Sequence, residues 1–196
     1  MRKLLNRLGR RMLEREAPVV RERKGQRLES HTRVGILVPA VTSSQRHQLK
    51  GLVEGLQDGI EVDTWCILAY TGTTRKAHAK SRAQRIKKLG GGQDVPPDFP
   101  QMASVKYLWW DDCNAFGLPQ IALDSLGDVD VLLSLDKHTL NLPLWALMRR
   151  SEAAFKVGPL RPDDGTLDFM LTWPEDGDML SFVQLAFHYL KTLDLK

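Results

Sequence analysis

The residues of this 196-residue sequence best suited to chemistry stand directly behind short apolar runs. Ser43 and Ser44 follow the run at 33–38, Asp111 and Asp112 follow 104–110, and Asp136 and His138 follow 128–135. Two serines at a helix start offer hydroxyls and backbone N–H groups to a phosphate, although capping a helix is the ordinary work of Ser and Thr. Adjacent aspartates can hold a divalent cation through their oxygens, and an Asp/His pair can move protons. Their structural reading is a solvated passage from strand to loop. The candidate small-molecule site is therefore Ser43, Ser44, Asp111, Asp112, Asp136 and His138, and its ligand would be a phosphorylated compound or a nucleotide-sugar.

Sequence motifs argue against several catalytic classes. No GxGxxG or GxxxxGK[ST] occurs, so dinucleotide and P-loop chemistry are disfavoured. There is no GxSxG elbow, and Cys113 sits among acids that raise a thiol pKa. The five histidines are scattered without HxH or HExxH spacing, and neither Cys66 nor Cys113 has a CxxC neighbour. No metal and no cofactor is expected.

A second chemistry lies in the charge layout. The chain has 28 Lys+Arg against 24 Asp+Glu. Residues 1–33 hold 11 basic and 4 acidic side chains, and residues 75–88 hold 7 basic and none acidic, which leaves 10 basic and 20 acidic elsewhere. An acidic body with two basic segments is suited to a polyanion such as RNA, a ribonucleoprotein or an anionic membrane surface. The candidate contacts are Arg7, Arg10, Arg11, Arg15, Arg21, Arg23, Lys24 and Arg27 in the first segment. In the second they are Arg75, Lys80, Arg82, Arg85, Lys87 and Lys88. The alternative is that these segments are solvated faces that neutralise the body's own acids.

The elements that would position these residues can be read from periodicity. Leu4, Leu5, Leu8, Met12 and Leu13 recur at helical spacing over 3–16, with the arginines largely opposite, so a short basic amphipathic helix is expected before Pro18. The reading is an arm over 1–30 and one folded domain over 31–196. Within it, 33–38 is a buried strand. A helix capped by Thr42, Ser43 or Ser44 follows, with Leu49, Leu52, Val53 and Leu56 on one face. The strand at 62–70 leads to a sparse helix at 75–89, whose apolar positions are Ala79, Ala83, Ile86 and Leu89, and then to the breaker GGGQDVPPDFP. Further strands are expected at 104–110, 128–135, 155–157 and 167–173. Helices are expected at 143–155, with Pro143 in the first turn, and at the closing LSFVQLAFHYLKTL. Trp65, Tyr107, Trp109 and Trp110 read as core residues on central strands. Strands alternating with helices predict a three-layer, Rossmann-like α/β domain around a mainly parallel sheet of five to six strands, plus the helical arm. In such sheets, ligands bind beyond the carboxyl ends of the strands, where strand order reverses.

The runs R-V-G-I-L, D-V-D-V-L-L-S-L, L-P-L-W-A-L, S-E-A-A-F-K-V-G and F-H-Y-L-K-T-L together resemble a family of uncharacterised short proteins from Bacteroidota, the most specific block being 128–158. The resemblance implies a cytoplasmic α/β protein and carries no activity. The same block is loosely similar to one half of heptose-transferring glycosyltransferases, which need two Rossmann-like halves to enclose a sugar nucleotide.

Composition bounds the remaining choices. A chain of this length buries roughly 70% of its unfolded surface without disulfide staples. No stretch approaches the roughly 20 apolar residues of a membrane span, and the N-terminus lacks the pattern of a secretory signal. The expected protein is a cytoplasmic, non-catalytic binding protein whose basic segments contact a polyanion, RNA or a ribonucleoprotein first. The alternatives are a small-molecule binding domain or enzyme using the strand-end residues, and an adaptor that docks residues 3–16 on a membrane surface or a partner protein.

Overall fold

A computed structural model describes residues 2–16, 19, 28–29, 31–59, 64–88, 99, 101–120, 128–137, 141–161 and 165–192. The elements run α1 (Arg2–Arg15), β1 (Arg33–Pro39), α2 (Ser43–Gly59), β2 (Thr64–Tyr70), α3 (Arg75–Lys88) and β3 (Val105–Leu108). After a 3₁₀ turn at Trp110–Asp112 come β4 (Val131–Ser134), α4 (Leu142–Arg150), β5 (Phe155–Pro159), β6 (Phe169–Leu171) and α5 (Met179–Thr192). All six strands are parallel, in the order β3-β2-β1-β4-β5-β6. This is the order of a doubly wound Rossmann-type sheet.

β1 is central because every residue after Arg33 is buried, as a strand covered on both faces requires. Ile36 pairs with Ile67 of β2 on one side and Leu133 of β4 on the other. Alternation along the strand divides the core. Val34, Ile36 and Val38 pack with Leu49, Leu52 and Leu56 of α2 and Phe182, Val183 and Ala186 of α5. Leu37 faces the opposite side, with Leu144, Leu147 and Met148 of α4. The result is α2 and α5 on one face, the sheet in the middle and α4 on the other. Each fully buried Leu, Ile or Phe contributes roughly 1.5–3 kcal/mol of transfer free energy.

The basic N-terminal helix packs onto this body. α1 lies on α4, with Leu13 fully buried among Leu118, Leu142, Trp145 and Ala146. Gly9 is required there, since a Cβ would press into the Phe116 carbonyl oxygen and come within 3.0 Å of Leu142. Glu16 closes the contact: it accepts from Arg150 Nε at 2.9 Å and Nη2 at 2.6 Å, and its backbone carbonyl accepts from Arg149 at 3.0 Å. Those two contacts fix α1 parallel to α4. The apolar set expected to form one face is consequently split. Leu5 and Leu13 turn inward, while Leu4, Leu8 and Met12 are 61%, 41% and 45% exposed.

Two further expectations are corrected. Trp109 and Trp110 do not lie on a central strand, because β3 is an edge strand that ends at Leu108. The Trp109 N–H donates to Asp112 Oδ2 at 2.8 Å, turning the chain out of the sheet. In α3, Ala79 and Ala83 are exposed, and the inward stripe is His78, Arg82 and Ile86. The His78 ring packs 5.1 Å from Phe99 and 5.2 Å from Trp109, so an imidazole on two aromatic rings replaces the expected aliphatic seam.

Candidate functional site

The strand order reverses between β1 and β4, and a crevice of about 230 Å³ opens beyond their carboxyl ends. Pro39 contributes from β1, Ser44, Gln45 and Gln48 from α2, Leu135, Asp136 and Lys137 from the end of β4, and Trp173, Gly177 and Met179 from the passage between β6 and α5. The α2 N-terminus is built by a capping box. Thr42 Oγ1 accepts from the Gln45 N–H at 3.2 Å, and Gln45 Oε1 accepts the N–H groups of Thr42 and Val41, each at 3.0 Å. That arrangement occupies the amides of Val41, Thr42 and Gln45. Ser43 is taken up by Arg46, whose Nη2 donates to its Oγ at 3.2 Å.

The candidate residues therefore fall into separate places. Ser44 and Asp136 line the crevice, and Ser43 stands beside Ser44. Asp136 is 6% exposed and committed to architecture, accepting from the Asn141 N–H at 2.6 Å and from Asn141 Nδ2 at 3.0 Å. Those bonds pin the loop into α4, where Asn141 is the N-cap and Pro143 sits in the first turn. Asp111 and Asp112 stand at the end of β3, two strands, or about 10 Å, from β1. Asp111 Oδ2 accepts the Arg75 N–H at 2.8 Å, at the start of α3, and Asp112 takes both Nη atoms of Arg75 at 2.8 and 3.0 Å. Both hold α3 in place. His138 lies outside the described residues.

Lining residues from distant sequence complete the crevice. Trp173 stacks on Phe182 with ring centroids 4.5 Å apart, and Lys137 Nζ lies 5.4 Å from the Trp173 ring. Gln45 was legible as the third residue after Thr42 in a capping pattern, but Trp173 and Met179 carry no local signal. With Asp136 turned toward Asn141, the charged group at the mouth is Lys137. Among the described residues, the crevice thus carries one acid, Asp136, and one base, Lys137, in its lining. Its volume falls below the roughly 300–1,000 Å³ that drug-sized ligands fill, which argues against a nucleotide-sugar.

The basic residues are arranged differently. In α3, Lys76, Lys80 and Lys87 are exposed and make no ion pair among the described residues, and Arg85 is exposed on the same helix. Arg82 is half-buried, Arg75 is held by Asp112, and the side chain of Lys88 is not among those described. In α1, Arg7, Arg11 and Arg15 are exposed and form no ion pair among the described residues, while Arg10 pairs with Glu14 at 3.0 Å and lies 5.7 Å from the Trp145 ring. Arg21, Arg23, Lys24 and Arg27 lie outside the described residues. The two helices sit on opposite faces of the sheet, α1 over α4 and α3 beside Phe99, and both touch the segment 109–118.

Neither cysteine is placed for catalysis. Burial pushes the Cys66 thiol pKa up, against a smaller opposing pull from Lys106. Cys113 Sγ lies 3.8 Å from the Trp109 carbonyl oxygen. No group of three or more His, Cys, Asp or Glu side chains suited to a metal ion occurs among the described residues, and no described helix is long and apolar enough to cross a membrane.

Sheet order, switch-point crevice and docked basic helix define the class as a Rossmann-type parallel α/β protein. Residues 125–193, which run from before β4 through α5 and contain the whole of the 128–158 block, match the model of a family of unknown function, DUF6913. No curated protein and no solved structure matches the chain.

Proposed function

We propose that this is a non-catalytic binding protein whose basic helices contact a polyanion, RNA or a ribonucleoprotein in the first place. The observation that carries the reading is the asymmetry of α3. One stripe, His78–Arg82–Ile86, faces the body, and the remaining surface presents Lys76, Lys80, Arg85 and Lys87 on a helix without a carboxylate. A helix that served only as a solvated face would more usually lace such charges with acids at i, i+4, as Arg10–Glu14 and Lys50–Glu54 do here. Affinity then comes from phosphate contacts and falls steeply with salt. Arg7, Arg11 and Arg15 of α1 add a second basic surface. We also place the whole chain, beyond the matched 125–193, with the short cytoplasmic proteins of Bacteroidota that its motifs resemble.

The test is anisotropy of a labelled structured RNA at low and physiological salt. The triple variant Lys76→Glu, Lys80→Glu, Lys87→Glu should weaken binding at least about tenfold, from the phosphate contacts it removes. Unchanged affinity in that variant, or no binding by the wild-type protein, would overturn the reading.

A second reading is favoured by Lys137 over Trp173 at the crevice, where a small phosphorylated ligand could sit with Ser44 and Gln48. Isothermal titration with inorganic phosphate against wild type and Lys137→Ala separates it from the first. Heat that disappears in the variant supports it, and no heat in either removes it.

A further inference from the structure

We infer that the outward face of α1 is a docking strip for an anionic lipid bilayer. The inference goes beyond the α3 reading and shares with it only the assignment of the α1 arginines as phosphate contacts. α1 is fixed on the body by Leu13, by the close approach of Gly9 to Phe116, and by the Glu16–Arg150 pair. Its remaining face cannot turn inward to hide. That face carries Leu4, Leu8 and Met12 at i, i+4 and i+8, all of them exposed. Interleaved with them at the same spacing are Arg7, Arg11 and Arg15, exposed and without an ion pair among the described residues. The acid in the last turn of the helix, Glu14, is paired with Arg10.

The contrast with α3 chooses the partner. A surface that meets only phosphates in water needs cations and gains nothing from large aliphatic side chains, and the exposed positions of α3 are Lys, Arg, Ala, Ser and Gln. α1 adds flexible aliphatics rather than the aromatic platforms on which bases stack. Lys or Arg at the headgroup level with Leu and Met reaching into the acyl boundary is the composition of an interfacial helix. Charge complementarity requires anionic lipid, because the strip carries three uncompensated arginines. One short strip gives reversible association, since a modest buried apolar area and a few charges anchor weakly.

Flotation of the full chain with two vesicle preparations tests this, one of mixed phosphatidylcholine and phosphatidylglycerol and one of phosphatidylcholine alone. Wild type is expected to float with the anionic vesicles and to remain behind with the neutral ones. The variant Leu4→Ser, Leu8→Ser, Met12→Ser, its fold checked by an unchanged thermal melt, should partition about tenfold less or worse. Its affinity for structured RNA should be unchanged. Arg7→Glu, Arg11→Glu, Arg15→Glu should also abolish flotation. Absence of flotation by wild type overturns the inference, as does flotation of the serine variant at the wild-type level. Parallel loss of RNA binding in the serine variant would assign the strip to the nucleic acid instead. Flotation that survives Lys76→Glu, Lys80→Glu, Lys87→Glu while RNA binding disappears separates the two readings, and wild type that floats without binding RNA would remove the α3 reading alone.

Discussion

Asp136, two residues beyond the end of β4, sets one carboxylate oxygen on the Asn141 amide at 2.6 Å and the other on its side chain at 3.0 Å. Replacing it by alanine leaves two donors without their acceptor in a place 6% exposed, and the expected cost is about 1–3 kcal/mol in a denaturant melt. If the crevice instead drew its binding from Asp136, Asp136→Ala would lose ligand while melting like wild type. Glu16 gives a second residue-level expectation. The hydrogen bond from the Arg150 side chain holds its carboxyl pKa below the usual value, with smaller pulls from the charges of Arg150 and Arg149 opposing partial burial. Because the folded value is the lower one, this contribution is fully present above the unfolded pKa near 4.5 and is lost as pH falls through the folded value. Protection of the α1 amides, the exchange rate taken relative to the intrinsic rate at each pH, should therefore fall in acid, and Glu16→Gln should flatten that dependence. Cys66, its thiol pKa raised by burial, should react slowly with a disulfide reagent at neutral pH and quickly once the chain is unfolded. At this scale the sequence was legible where chemistry is local: a carboxylate behind a strand, a hydroxyl residue at a helix start. It was silent on Trp173, which reaches the crevice from some forty residues beyond Asp136, and on the commitment of Asp111 and Asp112 to Arg75, since an ion pair 37 residues apart leaves no spacing to read.

α1 and α3 show where periodicity succeeds and where it misleads. The amphipathic pattern of α1 was visible, but five apolar residues spread over more of the helix than α4 can cover, so Leu4, Leu8 and Met12 remain outside while Leu13 is buried. Leu13→Ala should cost about 2–4 kcal/mol if docking is coupled to the fold. Gly9→Leu should do similar damage by driving a side chain into Phe116 and Leu142. The readout is limited proteolysis of α1 alongside the global melt. Cleavage at α1 with an unchanged body transition would show that the helix docks as a separate unit. α3 escaped the usual rule for the opposite reason. Its anchor is the His78 ring between Phe99 and Trp109, and a histidine on a basic helix is not counted by a search for aliphatic spacing. Strand positions fared better, because β-branched runs buried on both faces are a property of the run itself. Their ends shifted where side chains intervened, as when Asp112 drew the Trp109 N–H out of β3.

The whole molecule joins a sheet of Rossmann-type strand order to two basic helices on opposite faces. A mainly parallel sheet followed from alternating strands and helices, whereas of the collected strand-end residues only Ser44 and Asp136 line the crevice at the switch point between β1 and β4. Packing of the arm onto α4 did not follow, because a charge count describes association rather than contact. In the proposed function, the uncompensated cations Lys76, Lys80 and Lys87 of α3 with Arg7, Arg11 and Arg15 of α1 are what would make the protein a polyanion binder. The most direct test of that function is the slope of log K against log salt for a labelled structured RNA, measured on wild type and on the two triple charge-reversal variants. Six phosphate contacts would give a slope approaching about −5, and each variant should lose about half of it. A slope near zero, or one that neither variant changes, would contradict the account.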